Sequence, residues 1–336
     1  IDRTGTLVPP VAWSVLDPIP APTADGPNFA ELCDRRGEEL VSEALELDRP
    51  IQHLWSGGID STAALIALMK AAERRGCADR IRVLLSMESV LEYPAFYLHH
   101  IDRQYHTQTV RQPMARNLDA RALNVTGEHG DQLFGSQLLE PYVRRGVANA
   151  DYRDLLPLML LERLRHPLDA RRTGRYLQPV LDAAPAPIVS LFDALWWLNF
   201  ALKWQDVSVR MVGMRGGEAG VLFQALRHFF RTDSFQQWAL ANTPGKPVDG
   251  WTDYKATAKA YIRDFTGDEW YFRLKTKEDS LRNVLSDGGN DRYRVFMRDD
   301  FMPVVTTVPA REANQLRRWL WPELEPRGKR LPEYGR

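Results

Sequence analysis

The sequence predicts an α/β protein: a parallel-sheet core followed by a mainly helical carboxyl-terminal half. Short apolar runs alternate with helical patterns over residues 51–140, as they do in βαβ units. The first run ends in a Gly-rich turn that leads directly into an apolar helix. Beyond residue 140, helical periodicity replaces the strand pattern, and Arg and aromatic residues become frequent. Together these observations predict a sheet built early in the chain and helices added after it.

The predicted elements follow in chain order. Apolar spacing over residues 28–47 predicts one or two helical segments, and the apolar helix after the Gly-rich turn is expected to end near Arg75. The predicted strands are Ile51–Trp55, Ile81–Ser86, Gln104–Arg111 and Ala122–Thr126. The predicted later helices are Asp151–His166, Ile188–Trp204, Val221–Ala241 and Lys255–Phe265. In a parallel sheet, ligands collect where the strands end, which directs attention to the residues that follow each strand.

Composition restricts the class of protein. Acidic and basic residues balance at 44 each, so no global charge favours nucleic acid or a membrane surface. Polar residues interrupt the longest apolar stretch, Ile188–Leu202, so it is not expected to span a bilayer. The two cysteines, Cys33 and Cys77, are too few for a disulfide framework and fit a reducing compartment. We expect a cytoplasmic enzyme.

The Gly-rich turn reads Ser-Gly-Gly-Ile-Asp-Ser from Ser56 to Ser61. Gly57 and Gly58 allow the backbone to approach an anion without Cβ clashes, and the following helix offers its unpaired N–H groups. Both serines can donate hydroxyl hydrogen bonds, and Asp60 is placed to hold Mg²⁺ against phosphates. The turn therefore predicts a pyrophosphate site and ATP chemistry.

The turn differs from two common nucleotide-binding motifs, and one further interpretation requires no ligand. A tight βα turn capped by Asp60 or Ser61 would need no ligand. A Walker loop requires a Gly-Lys-Ser/Thr sequence, and a Rossmann fingerprint requires a third glycine where Ser61 stands. The turn instead resembles the Ser-Gly-Gly-x-Asp-Ser loop of the N-type ATP pyrophosphatases, the PP-loop enzymes. That resemblance implies ATP cleavage between the α and β phosphates and an adenylylated substrate, with the adenine near Ser86 and Met87.

A second acidic turn follows the predicted strand Ala122–Thr126. It reads Gly-Glu-His-Gly-Asp-Gln-Leu-Phe-Gly and resembles the Gly-Glu-Gly-x-Asp-Glu-x-Phe-Gly-Gly signature of the asparagine synthetase synthetase domain. The matching residues are Gly127, Glu128, Asp131, Phe134 and Gly135, whereas His129, Gln132 and Ser136 depart from it. The resemblance implies that Asp60 and Asp131 bind Mg²⁺, that Gly127 helps to form the nucleotide site, and that Glu128 lies beside the acyl group as an acid or base. Acidic residues at a helix N-terminus are the alternative.

Two weaker resemblances to the same family lie further along the chain. Residues 217–223 retain part of a substrate-side element but lack its Arg and Asp. Residues 268–278 are similar to the stretch that carries the family's catalytic lysine, which implies Lys277 as that residue and Lys275 as the second candidate. A lysine there would stabilise the negative charge that develops at phosphorus. A solvated basic helix end remains the alternative.

The resemblance implies an AMP-forming amide ligase that uses ATP and Mg²⁺. On this interpretation residues 1–50 form an arm and a helix, 51–140 the ATP-binding core and 141–336 the helical substrate side. The region before the turn is too short for the family's glutaminase domain, so we expect nitrogen from free ammonia, an amine or a separate glutaminase. The acyl partner is expected to be a small-molecule or peptide carboxylate. An oligomer is compatible with the sequence.

Two functions from other classes remain open at this stage. A degenerate synthetase could bind ATP as a non-catalytic scaffold, which the altered second half favours. An enzyme that adenylylates a nucleobase or tRNA would need a local basic surface, for which Arg144–Arg145 and Arg163–Arg175 are the candidates.

Overall fold

The computed structural model describes residues 1–7, 13–23, 26–110, 114–213, 215–242, 250–277, 292–295 and 306–309. The strands in these ranges are β1 (Ile51–Leu54), β2 (Ile81–Leu85), β3 (His106–Thr109), β4 (Leu123–Thr126), β5 (Leu226–His228), β6 (Arg292–Val295) and β7 (Thr306–Pro309). The α-helices are α1 (Phe29–Glu46), α2 (Ile59–Arg74), α3 (Met87–Glu92), α4 (Pro94–Phe96), α5 (Gly130–Phe134), α6 (Glu140–Arg144), α7 (Tyr152–Leu164), α8 (Pro167–Asp182), α9 (Leu191–Leu198), α10 (Trp204–Gly213), α11 (Ala219–Ala225), α12 (Asp233–Ala241), α13 (Ala256–Thr266) and α14 (Glu269–Leu274).

The chain divides into two compact units. The sheet unit consists of Ala30–Gly127, Met211–Phe229 and Thr257–Arg336. The helical unit consists of Ile1–Phe29, Glu128–Arg210 and Phe230–Ala256.

The sheet unit contains a five-stranded sheet in the order β3-β2-β1-β4-β5, with every neighbouring pair parallel. The predicted α/β class and parallel sheet are therefore confirmed. Ile51 of β1 pairs with Ile81 on one side and Leu123 on the other. Every residue of β1 and β4 is buried. Strands covered on both faces have no solvent side to alternate with, which explains the short continuous apolar runs.

The strand order reverses beside β1. The strands β2 and β3 lie on one side of it, and β4 and β5 lie on the other. In open parallel sheets such a reversal opens a crevice beyond the carboxyl ends of the two central strands. The Ser56–Ser61 turn follows β1, and Gly127 follows β4. The topology thus brings Gly127 to the same end of the sheet as the Ser56–Ser61 turn.

Buried apolar side chains pack around β1. One cluster of buried side chains consists of Leu54, Leu84, Val110, Leu118, Met211, Val212, Leu222 and Leu226. Separately, α1 contacts α2 so closely at Gly37 that a Cβ there would lie 2.7 Å from the carbonyl carbon of Ala67. The helix that begins at the Gly-rich turn is therefore held by direct backbone contact.

The prediction of a single helix over Val221–Ala241 was wrong. The structure has α11, then β5, then α12, and Leu226 of β5 pairs with Asn124 of β4. A three-residue strand is too short to carry its own periodicity, and its hydrogen bonds to β4 decide its conformation. The mainly helical later half also contains β6 and β7, which pair with each other as a separate antiparallel sheet.

In the helical unit, an aromatic cluster holds the first residues of the chain. Arg3 lies over the rings of Phe200 and Trp204, with its guanidinium carbon 5.0 and 4.7 Å from the ring centroids. It also donates a 2.9 Å hydrogen bond to the carbonyl of Phe200. Phe200 lies in a π-helical turn, Asn199–Lys203, that interrupts the predicted helix Ile188–Trp204. The amino-terminal segment is therefore anchored by cation–π contacts and hydrogen bonds.

Candidate functional site

The turn after β1 is ordered by its own serines. The backbone N–H of Ser56 donates to Ser61 Oγ at 3.1 Å, and the two serine hydroxyls lie 2.9 Å apart. The N–H of Gly58 donates to Ser56 Oγ at 3.3 Å. The hydrogen bonds between Ser56 and Ser61 connect the two ends of the turn. The hydroxyl of Ser61 also donates to the carbonyl of Gly58 at 3.2 Å, so the two serines hold the turn in a tight conformation.

Two glycines are required at this site for different reasons. Gly57 has φ +78°, a left-handed conformation, and a Cβ there would lie 2.8 Å from Glu92 Cβ. Gly127, at the end of β4, would place a Cβ 2.6 Å from the backbone nitrogen of Ser61. Only a residue without a side chain allows these backbones to come so close. Gly127 is thereby placed against the first turn of α2.

The N-terminus of α2 has no side-chain cap. Gly58 is the N-cap and supplies no side-chain capping hydrogen bond, while Asp60 lies in the first turn. Uncapped amides at the start of a 16-residue helix present partial positive charge to the turn. The arrangement can bind a phosphate through backbone donors, with one carboxylate beside it for a cation.

Two buried side chains form hydrogen bonds to the first turn of α2. His53 Nε2 donates to the carbonyl of Ser61 at 2.9 Å, and the indole of Trp55 donates to Thr62 Oγ1 at 3.0 Å. Burial lowers the pKa of His53 from 6.5 to about 4, so its imidazole is neutral near pH 7. The start of α2 is therefore tied to β1 by side chains as well as by backbone.

The predicted adenine-side residues begin α3. Ser86 is its N-cap and forms a capping box with Ser89, whose hydroxyl accepts from the N–H of Ser86 at 3.2 Å. Met87 is the first residue of α3, and its side chain lies outside the part of the chain that the structure describes. Ser86 follows β2, which is paired with β1, so it lies at the same edge of the sheet as the turn.

The two predicted lysines differ in environment. Lys275 is buried and its Nζ donates to Glu92 Oε1 at 2.9 Å. Glu92 is the residue whose Cβ closes the space beside Gly57. Lys277, which was preferred from the sequence, is half-buried two residues further on, and Glu278 lies outside the described residues. The structure therefore places Lys275 next to the turn through Glu92.

Two tyrosine rings in the sheet unit stack on each other. The rings of Tyr93 and Tyr271 stack with centroids 4.0 Å apart. Tyr271 is fully buried, and its pKa is raised well above 10 by burial first, and then by the charges of neighbours that include Glu92 and Asp60. The cluster thus lies within electrostatic range of the carboxylate in the first turn of α2.

The helical unit holds the other predicted carboxylates in ion pairs. Glu128 accepts a hydrogen bond from Arg210, and Asp131 Oδ1 lies 2.6 Å from the ammonium of Lys255. Lys255 has φ +59°, and its side chain is only 1% exposed. Both carboxylates therefore already carry a basic partner within their own unit.

His129 stands where the asparagine synthetase signature has a glycine, and it is buried in the helical unit. Its φ of +75° is left-handed, the conformation a glycine would adopt freely. Its Nε2 lies 3.1 Å from Ser208 Oγ and 3.2 Å from the carbonyl oxygen of Trp204. The departure at this position is thus accommodated by hydrogen bonds to α10.

Sequence reasoning did not identify the partners of these residues. Glu92, Arg210 and Lys255 each lie 82 or more positions from the residue they contact. No local motif relates positions so far apart, and only the fold brings them into contact. In the sheet unit the structure brings together the predicted residues Ser56, Gly57, Gly58, Asp60, Ser61 and Gly127, with Lys275 joined to them through Glu92. Glu128 and Asp131 belong to the helical unit.

Within the described residues, no group of three or more His, Cys, Asp or Glu side chains could hold a metal ion. Mg²⁺ commonly takes one or two carboxylates and completes its shell with water and substrate phosphates. Asp60 beside a helix N-terminus without a side-chain cap fits that mode of binding.

The fold and the turn define the chain as an α/β protein with a five-stranded parallel sheet and a Gly-rich turn at its topological switch point. No helix in the described part of the chain is long and apolar enough to cross a membrane. No protein-family model matches the chain, and the search of curated proteins gave no significant match.

Proposed function

We propose that this protein is an ATP-dependent ligase that activates a carboxylate by adenylylation and joins it to ammonia or an amine, releasing AMP and pyrophosphate. The observation that carries the proposal is the Ser56–Ser61 turn at the switch point, where a helix without a side-chain cap begins and two serine hydroxyls meet. The close approach of Gly127 to the first turn of α2 supports it, because a side chain there would fill the same space. The PP-loop resemblance supplies the reaction class.

The turn would bind the phosphates of ATP. The N–H groups at the start of α2 and the hydroxyls of Ser56 and Ser61 donate to phosphate oxygens. Asp60 would hold Mg²⁺, which supplies charge neutralisation on the phosphates when bound. Asp131 is the weaker candidate for a metal ligand, because its carboxylate already pairs with the buried ammonium of Lys255.

Lys275 is the preferred candidate for the cation that stabilises charge at the α-phosphorus. Its ammonium is buried, and Glu92 fixes it beside the turn without solvent screening. Lys277 is the second candidate, which reverses the order of preference from the sequence. For Glu128 the resemblance implies an acid or base role beside the acyl group, and its carboxylate accepts a hydrogen bond from Arg210.

The test is product analysis. The protein is incubated with ATP, Mg²⁺, ammonium or simple amines, and a panel of carboxylates, and nucleotides are followed by phosphorus NMR. AMP and pyrophosphate should form with Asp60 intact and disappear in Asp60→Ala. Asp79→Ala removes an exposed carboxylate of the same unit and should retain the activity. Release of ADP and phosphate instead would overturn the proposal.

A non-catalytic ATP-binding role is the second candidate, and one observation favours it. Both carboxylates of the second turn are engaged, Glu128 by Arg210 and Asp131 by Lys255. An enzyme that needs them for metal or substrate would have to break these pairs. Tight ATP binding measured by calorimetry, with no pyrophosphate released on any carboxylate tested, would support this role.

A further inference from the structure

The sheet unit also contains a cleft near the amino ends of β1 and β2, whereas the Ser56–Ser61 turn follows the carboxyl end of β1. The volume of the cleft is about 730 Å³, and Gln52 of β1 and Arg82 of β2 contribute to its wall. Gln52 precedes Ser56 by four residues on an extended chain, a separation of about 13 Å. The cleft is therefore separate from the proposed ATP site, and its size is that of a small-molecule pocket.

Arginines dominate the charge of this cleft. Its charged lining residues are Arg82, Arg116, Arg121, Arg215, Asp119 and Glu218. Arg121 pairs with Asp119, and Arg215 pairs with Glu218. The four guanidinium groups outnumber the two carboxylates, so the lining carries excess positive charge.

Arg82 is the arginine best placed to contact a ligand. It is exposed at the second position of β2, and within the described residues its side chain makes no hydrogen bond or ion pair. The pKa of Asp119, which lines the cleft, is lowered first by the hydrogen bond from Arg121. The charge of Arg82 lowers it further. A guanidinium without a partner, facing a concave wall, has all five of its donors available.

Buried hydrogen bonds fix the walls around it. The amide of Gln52 donates to the carbonyl of Asn117 at 2.5 Å and to Asn124 Oδ1 at 2.9 Å. Asn124 in turn donates to the carbonyl of Asp119 at 2.8 Å. Arg215 donates to the carbonyl of Ala115 at 2.8 Å. The segment that bears Arg116 and Arg121 is thereby tied to the sheet, so the cleft is preorganised.

We propose that this arginine-lined cleft is a second ligand site that binds a small multivalent anion, an organic phosphate or a polycarboxylate, with Arg82 as its principal contact. Planar guanidinium groups pair with carboxylate and phosphate oxygens through two parallel hydrogen bonds, which a single lysine cannot do. The excess charge of the lining and its fixed walls favour a ligand with more than one anionic group. A monovalent ligand would leave much of this charge uncompensated.

Binding is tested by calorimetry on the full chain, with fructose 1,6-bisphosphate as the organic phosphate and citrate as the polycarboxylate. At least one probe should bind, and Arg82→Ala should weaken that binding about tenfold or more, since a bidentate contact is lost. The probe that binds more tightly shows whether the cleft prefers phosphate or carboxylate groups. Arg35→Ala is the matched control, because Arg35 is exposed on α1 and makes no hydrogen bond or ion pair in the described ranges.

A second pair of measurements separates this cleft from the ATP site. Arg82→Ala should leave ATP affinity unchanged, and Ser56→Ala should leave binding of the anion probe unchanged. Failure of both probes to bind at millimolar concentration would overturn the proposal. So would an anion affinity that falls in Ser56→Ala but not in Arg82→Ala, because the anion would then occupy the turn. Neither result depends on whether the protein turns over ATP.

Discussion

The ammonium of Lys275 lies 2.9 Å from Glu92 Oε1, and the two side chains are only 3% and 9% exposed. The residues are 183 positions apart in the chain. Glu92 also limits the space beside Gly57, so the pair connects the segment after α14 to the Ser56–Ser61 turn. A buried ion pair of this kind costs desolvation energy to form, and its removal from one side leaves a charge in the interior.

Lys275→Met should therefore destabilise the fold by about 3–5 kcal/mol, since the carboxylate of Glu92 loses its buried counter-charge. Urea unfolding followed by circular dichroism measures the change. Lys277→Met is the matched control and should leave the midpoint nearly unchanged, because Lys277 is half-buried rather than buried. The double variant Lys275→Met with Glu92→Leu should recover much of the loss. Equal midpoints for Lys275→Met and Lys277→Met would contradict the role of the pair.

Gly57→Ala should weaken ATP binding and cost about 1–3 kcal/mol of stability, because φ is +78° and the added Cβ meets α3. Gly76→Ala is the control for the conformational part of this cost. Gly76 has φ +64°, but no atom lies within 4 Å of its added Cβ. The comparison isolates the steric contact beside the turn, and the prediction fails if both variants bind ATP equally well.

Gly127→Ala should reduce ATP affinity at least as strongly, since the new Cβ would lie 2.6 Å from the backbone nitrogen of Ser61. The first turn of α2 would have to move, and its amides would no longer point to the same place. Gly220→Ala, which meets nothing within 4 Å, is the control. Calorimetric titration with ATP distinguishes the two variants. Unchanged affinity in Gly127→Ala would remove Gly127 from the site.

Stability should fall as the pH is lowered from 6.5 to about 4, because His53 resists protonation in the folded state. Its pKa is 6.5 when unfolded and about 4 when folded, so only the unfolded chain gains a proton in this window. The loss approaches about 3 kcal/mol at the acid end, and above pH 6.5 the group contributes nothing to the pH dependence.

Unfolding at several pH values measures this effect, with His53→Gln expected to show a shallower slope than the parent chain. His106→Gln removes an exposed histidine of β3 and should leave the slope unchanged. NMR titration of the imidazole gives a direct check in the unmodified protein. A His53 ring that titrates near pH 6.5 would refute the prediction.

Asp131→Asn should lower the free energy of unfolding by about 2–3 kcal/mol, since it removes a carboxylate 2.6 Å from the buried ammonium of Lys255. The cost lies below that of a fully buried pair because the Asp131 side chain is 31% exposed. Asp48→Asn breaks an exposed pair with Arg80 and should leave the unfolding midpoint unchanged. A neutral effect of Asp131→Asn would show that the pair does not stabilise the helical unit.

The strands and turns of the sheet were predictable because each carries a local signal. Ile51–Trp55 and Ala122–Thr126 are apolar runs bounded by turn residues, and the structure has β1 and β4 there. The strand β5 was not predictable, because its three residues gain their conformation from pairing with β4 rather than from any pattern of their own.

The sequence by itself determined the α/β class and the parallel sheet, because periodicity and turn residues act over a few neighbouring positions. Only the tertiary structure decided the strand order, the buried partner of Lys275 and the ion pairs of Glu128 and Asp131. The arginine cleft likewise exists only once residues 52–121 and 215–222 are folded against each other. Contacts between distant positions depend on packing of the whole chain, and packing leaves no local trace in a single sequence.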